Sequence, residues 1–217
     1  MQDEAKETDE SKIFSENYLP LGNVRFDSQM RFMCEINRMT HIMRRTMLID
    51  QSRRENDAEH SWMLSVMAQL LSEHCVKKVD VFRVMKMVTV HDLIEIYAGD
   101  TFAYDAEGNA TKAEREKLAA DRLFALLPSD QGKEIRALWE EFDAEQTDDA
   151  RFAASLDSLQ PFLHNTLTQG YTWRESHVKK SDVLKRQGII KETMPSVWPW
   201  IEKNLQRGVE NGWLIDE

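Results

Sequence analysis

The sequence predicts an all-α fold, on three observations. Breakers of regular structure are scarce, with 8 Gly and 5 Pro in 217 residues, too few for the frequent turns of a β protein. Strong helix formers are abundant and include 11 Met. Apolar residues also recur at three- and four-residue spacing through most of the chain.

The elements are expected in the following order. Residues 1–12 are charged and lack periodicity, so they read as a tail, and Tyr18 to Gly22 reads as a loop. From Asp27 to about Ile49 the residues Phe32, Ile36, Met39, Met43 and Thr46 recur at helical spacing, with Asp27 or Ser28 as cap. A polar stretch from Asp50 to Asn56 interrupts that pattern. Asp57 opens the next helix, with Met63, Met67, Leu70 and Leu71 on its apolar face. A third helix is expected over 80–97, with Val84, Val88 and His91 in line and Gly99 at its end. A loop at 100–110 contains Asp105, Gly108 and Asn109. Helices then follow over about 112–127, 130–145 and 148–170, and Pro161 should bend or divide the last of these. Two more are expected over 181–192 and 195–211, where Trp198 and Trp200, together with Trp173 and Trp213, pack the C-terminal helices onto the core or against a partner subunit. The domain division is a tail and loop over 1–26 and one helical bundle with a C-terminal helical extension over 27–217.

A net charge of -10 and a pI near 5.2 argue against broad binding to a nucleic-acid backbone. A local Arg cluster could still hold a small phosphorylated ligand. Two isolated cysteines, Cys34 and Cys75, make no disulfide framework and read as free thiols of a reducing compartment. The N-terminus has no apolar signal region, and no run of about 18 apolar residues exists. The expected location is the cytoplasm, with no membrane partner.

The densest chemistry lies in His91-Asp92-Leu93-Ile94-Glu95, followed by Gly99-Asp100. On a helix His91 and Glu95 share a face that continues the Val84 and Val88 stripe. A buried imidazole beside two carboxylates is costly unless something satisfies all three, and a divalent cation would do so. An isolated His-Asp pair is common on solvated helix faces, so this segment alone is a modest signal. Two further residues strengthen it. His60 opens an apolar helix, and Asp157 sits in the apolar segment LDSLQPFL, where an unpaired charge is unwelcome.

The order His … His-Asp … Asp resembles the HD-domain superfamily of metal phosphohydrolases. The segments RRENDAEHSW (53–62), VHDLIEIYAGD (90–100) and LDSLQPFLHN (156–165) resemble a narrower group, the HD-domain 5'-deoxynucleotidases. The resemblance covers roughly residues 28–175. It implies that His60, His91, Asp92 and Asp157 hold one divalent metal ion. Two imidazoles and two carboxylates leave open positions, a set that suits Mn²⁺, Co²⁺, Fe²⁺ or Mg²⁺ better than a closed structural zinc. It also implies catalytic roles for Glu95 and Asp100 in acid–base chemistry beside the metal.

The family's substrate-binding Arg corresponds to Arg45, placed at the end of the first helix. Arg45 is the expected phosphate clamp, with Arg53 and Arg54 as weaker candidates. Thr46 follows where relatives can carry a bulky aromatic that helps select the sugar, so the resemblance does not extend to that contact. His41, His74, His164 and His177 are not required, and His164 reads as a packing or rim residue. The implied activity is release of phosphate from (deoxy)nucleoside 5'-monophosphates. Other phosphoesters (a dNTP, a cyclic nucleotide or an alarmone) and a non-catalytic nucleotide-binding role are the alternatives. By analogy with such relatives, a homodimer is also an expectation.

Overall fold

The computed structural model describes residues 10–104 and 110–217. Two apolar clusters hold its helices together and define the bundle. The elements are α1 (Glu10–Asn17), α2 (Val24–Ile36), a 3₁₀ turn (Asn37–His41), β1 (Met43–Met47), β2 (Arg54–Asn56), α3 (Asp57–Leu71) and a second 3₁₀ turn (Ser72–His74). They continue with α4 (Val81–Val90), α5 (Glu95–Ala98), α6 (Lys112–Phe124), α7 (Ser129–Ala144) and α8 (Asp148–Leu167). Last come α9 (Tyr171–Glu175), α10 (Lys180–Thr193) and α11 (Trp198–Glu210).

One cluster joins Leu64, Val84, Phe152, Leu156, Ile190 and Ile201. The other joins Phe32, Leu93, Ile94, Leu123 and Trp139. Helix α8 is 20 residues long and central, packed against α3, α4 and α10. It carries Asp157 into the interior. None of the described helices is long and apolar enough to cross a membrane.

The all-α expectation holds, with local corrections. The helix expected over 27–49 ends at Ile36. A 3₁₀ turn and then β1 follow, and β1 pairs antiparallel with β2 in a small sheet. The apolar spacing in 36–46 mimicked a helix, but side-chain demands of the interior override it. The register between β1 and β2 is irregular between Met43 and Met47, and such a bulge re-aims side chains. Arg44 enters the interior while Arg45 stays exposed.

Asp27 does not cap α2. Asn23 does, accepting from the backbone N–H groups of Arg25 and Phe26. The Asp27 carboxylate instead accepts from the Tyr18 hydroxyl at 2.6 Å and from the backbone N–H groups of Leu21 and Gly22, so it ties down the preceding loop. The expected tail of 1–12 is helical from Glu10, and residues 1–9 lie outside the described residues. In the expected loop at 100–110, Asp105, Gly108 and Asn109 also lie outside them.

The helix expected over 80–97 is broken. α4 stops at Val90, a turn spans 91–94, and α5 ends at Gly99 with φ +77°. Leu70 is exposed on α3, contrary to its expected burial. α8 runs uninterrupted across Pro161, which supplies no N–H to the carbonyl of Asp157 four residues earlier. Trp173 is buried, Trp198 and Trp213 pack against the core, and Trp200, partly exposed, sets its ring edge-on to the core residue Phe162 at 5.5 Å, as expected. Cys34 and Cys75 form no disulfide.

Gly170 closes the end of α8 and opens α9. Its φ is +64°, and an added Cβ would lie 2.5 Å from Trp213 Cβ. Gly170→Ala is therefore expected to cost at least about 1–2 kcal/mol from the left-handed conformation alone, before the clash. Thermal denaturation checks this, and an unchanged melting temperature would show that the α8–α9 corner is not held as described.

Candidate metal centre

Three elements bring the four expected ligands together. His60 lies in the first turn of α3, whose start is fixed by a capping box. Asn56 Oδ1 accepts from the Glu59 N–H at 2.9 Å, and Glu59 Oε2 accepts from the Asn56 N–H at 3.1 Å. Arg53 pairs with Glu59, which gives it a structural task away from the centre. His91 caps α4, where Nδ1 donates to the Val88 carbonyl at 2.9 Å, one of the carbonyls a helix end leaves unused. Asp92 follows in the turn, and Asp157 comes from the middle of α8.

The convergence is close. His60 Nε2 lies 3.0 Å from Asp157 Oδ1 and 3.9 Å from Asp92 Oδ2. His91 Nε2 lies 3.1 Å from Asp92 Oδ2 and 3.8 Å from Asp157 Oδ1. Suitable donor atoms of His60, His91 and Asp157 fall within 4.8 Å of one another. Both histidines are buried.

Burial penalises a charged imidazole at both histidines but with opposite outcomes. It carries His60 down to about 4. At His91 the Asp92 and Asp157 carboxylates overcome it and push the ring up to about 10. Against their own burial, His91 and Arg44 hold Asp92, and His60 and His91 hold Asp157, below the usual carboxylate range. The Asp92 and Asp157 charges that favour a proton here would equally favour a cation.

The donors fit a divalent cation. Each Nδ1 is bonded to a carbonyl oxygen, Gln160 Oε1 for His60 and Val88 O for His91. That leaves each Nε2 directed at the carboxylates. His91 Nε2 is buried and makes no well-formed hydrogen bond among the described residues, as expected of an atom shaped for coordination.

Glu95 and Asp100 form a second acidic group with Asp57, their oxygens also within 4.8 Å of one another. Burial raises all three carboxyl groups, Asp57 to about 7. The neighbouring Asp92 charge adds to the rise at each. Glu95 Oε2 is buried without a hydrogen-bond partner among the described residues. Both Glu95 and Asp100 line the cavity that opens onto Asp92 and Asp157.

Arg45 and Thr46 line the same cavity. Arg45 sits on β1, not at a helix end, with its guanidinium 5.3 Å from the Phe102 ring centroid. Thr46 is buried beside it. Arg54 lies on β2 in an adjoining cleft, where its fork holds Glu175 at 2.9 and 2.8 Å and the Arg45 carbonyl at 2.7 Å. His164 is buried and bonded, in keeping with a packing role.

Sequence reasoning missed Arg44. Its Nη1 donates to Asp92 Oδ2 at 2.7 Å and to Asp57 Oδ1 at 3.3 Å, and its Nη2 lies 4.0 Å from Asp157 Oδ1. It is the central cation among the buried acids. Only the strand alternation separates it from exposed Arg45, and a helical reading hides that alternation. Arg186 was also missed, and it donates to Asp157 Oδ2 at 3.2 Å from α10. A signal existed for Gln160: with Asp157 and His164 it makes a polar stripe at helical spacing on an otherwise apolar helix.

A family model described as HD domain matches residues 36–198. The 5'-deoxynucleotidase HDDC2 of Danio rerio is 30% identical over 138 residues, covering 63% of this chain and 68% of the relative. The human protein of that name is 31% identical over 111 residues, covering 51% of this chain and 53% of its own length. A crystal structure of a "predicted metal-dependent phosphohydrolase" from Magnetospirillum magnetotacticum aligns with a TM-score of 0.85 at 44% identity, covering 91% of this chain and 100% of that one.

Proposed function

The chain belongs to the HD-domain family, and on that premise we propose that it is a metal-dependent phosphohydrolase releasing phosphate from (deoxy)nucleoside 5'-monophosphates. The observation that carries the reading is the convergence of His60, His91, Asp92 and Asp157 from α3, the α4 terminus and α8, with Asp92 and Asp157 in the wall of a cavity lined by arginines and carboxylates. The relatives named 5'-deoxynucleotidase support the nucleotide monoester as substrate.

We assign the cation to these four residues, with Mn²⁺, Co²⁺, Fe²⁺ or Mg²⁺ as the candidates. When bound, such an ion would supply Lewis-acid charge toward a phosphoryl oxygen and lower the pKa of water so that hydroxide is available as the nucleophile. The chain's own residues do the rest. Glu95, buried with one oxygen unpaired, is placed to orient the attacking water or to hold its proton at Oε2. Asp100, on the same cavity wall, is its partner toward the leaving alkoxide. Arg44 keeps the Asp92 and Asp57 carboxylates in place.

Arg45 is the exposed fork of donors at the cavity, suited to phosphate oxygens. Arg45→Ala is expected to raise KM for a nucleoside monophosphate about tenfold, the scale of one charge-assisted hydrogen bond, with kcat little changed. Steady-state kinetics on the variant decide this, and an unaltered KM would remove Arg45 as clamp.

Product identification tests the substrate class. Inorganic phosphate and a nucleoside from a 5'-monophosphate support the monoester reading. Tripolyphosphate from a dNTP, or pyrophosphate from an alarmone, in preference to monoester cleavage would replace it.

A further inference from the structure

Behind His60 lies a fully buried polar chain that the proposed chemistry does not use. Gln160 and Glu55 on either side of it are 0% and 1% exposed, and His164 is 3% exposed. His164 Nδ1 lies 3.0 Å from the Met47 carbonyl oxygen. A carbonyl only accepts, so Nδ1 carries the proton. Burial favours the neutral His164 ring, and its Nε2 is then an acceptor. Gln160 Nε2 lies 3.1 Å from that nitrogen and 2.5 Å from Glu55 Oε1. The His164 nitrogen and the Glu55 oxygen therefore take the two N–H bonds of the amide, with the Met63 sulfur a weaker contact at 3.7 Å, and its orientation is fixed. Gln160 Oε1 is left facing His60 Nδ1 at 3.0 Å, where it accepts.

We infer that Gln160 is a positioning residue that holds the His60 proton on Nδ1, so that Nε2 presents a lone pair to the cation. The anchors are Glu55 on β2 and the Met47 carbonyl on β1, so the small sheet sets the tautomer of a histidine on α3. The local geometry makes this control necessary. Asp157 Oδ1 lies 3.0 Å from His60 Nε2, and without the amide oxygen it would draw the proton to that nitrogen and block coordination. The inference rests on the reading of His60 as a ligand.

The test uses the full chain and two variants. Gln160→Met keeps volume and removes the acceptor, whereas Gln160→Glu keeps an acceptor toward His60. Histidine side-chain ¹⁵N–¹H spectra of metal-free protein locate the proton, and titration with Co²⁺ gives the affinity. Wild-type protein should show His60 protonated on Nδ1. Gln160→Met should move that proton and weaken Co²⁺ binding about 10–100-fold, and Gln160→Glu should restore both toward wild type. A folded Gln160→Met that binds Co²⁺ at wild-type affinity overturns the inference, as does a wild-type His60 protonated on Nε2. If Gln160→Met fails to fold, the wild-type spectrum and the Gln160→Glu affinity decide. His60→Ala separates the two levels. Wild-type Co²⁺ affinity in that variant removes the ligand assignment itself, whereas lost affinity there beside unchanged affinity in Gln160→Met removes only the role of Gln160.

Discussion

Replacing Asp92 by alanine is expected to abolish retention of a divalent cation and, with it, turnover. Asp92 Oδ2 is the atom nearest His91 Nε2 among the carboxylates, at 3.1 Å, and it also lies 3.9 Å from His60 Nε2. Its removal leaves two imidazoles and one carboxylate. It also leaves Arg44 with its positive charge turned toward the place the cation would take, which adds repulsion to the lost bond. Activity should fall by more than about 10³-fold, since several kcal/mol of transition-state charge stabilisation go with the ion. Metal content after dialysis, with circular dichroism as the check on folding, gives the answer. Stoichiometric metal in a folded Asp92→Ala protein would refute the ligand set.

The second large effect is expected at Glu95. Glu95→Gln preserves shape and removes the titratable carboxyl, so the cation should remain bound while kcat falls about 10²–10⁴-fold, the range for loss of a positioned acid or base. KM should change little, because the residue acts on the reacting water and not on substrate affinity. The structure supports this separation. Glu95 sits with Asp57 and Asp100, one step removed from the four expected ligands, and one of its oxygens has no protein partner among the described residues. An unchanged kcat would leave Glu95 as a buried structural acid and shift the acid–base work to Asp100.

Much of the centre was legible in the sequence, and the reasons differ by residue. His91, Asp92, Glu95 and Asp100 are close in sequence, so their grouping needs little knowledge of the fold. It survives even the break between α4 and α5. Asp157 stood out because a charge in an apolar helical segment must find a partner. Arg44 did not stand out. Beside Arg45, only backbone conformation distinguishes the inward from the outward side chain, and the apolar spacing through Ile36, Met39 and Met43 concealed a strand. Arg186 was hidden for another reason: α10 lies far along the chain, and its meeting with Asp157 is a product of tertiary packing. The long helices α3, α7 and α8 were readable from the helical spacing of their apolar residues. The short sheet was not, because its pairing is held by partners remote in sequence, among them the Thr172 hydroxyl on the Arg45 carbonyl and Glu175 on Arg54.

The most direct measurement is phosphate release from a deoxynucleoside 5'-monophosphate by chelator-stripped protein as Mn²⁺, Co²⁺ or Mg²⁺ is titrated back. Turnover should be absent after stripping and return with added cation in wild-type protein, with inorganic phosphate as the only phosphorus product, and should not return in Asp92→Ala. Phosphate release that persists in stripped protein, or that returns equally in Asp92→Ala, would contradict a metal-dependent centre built on His60, His91, Asp92 and Asp157.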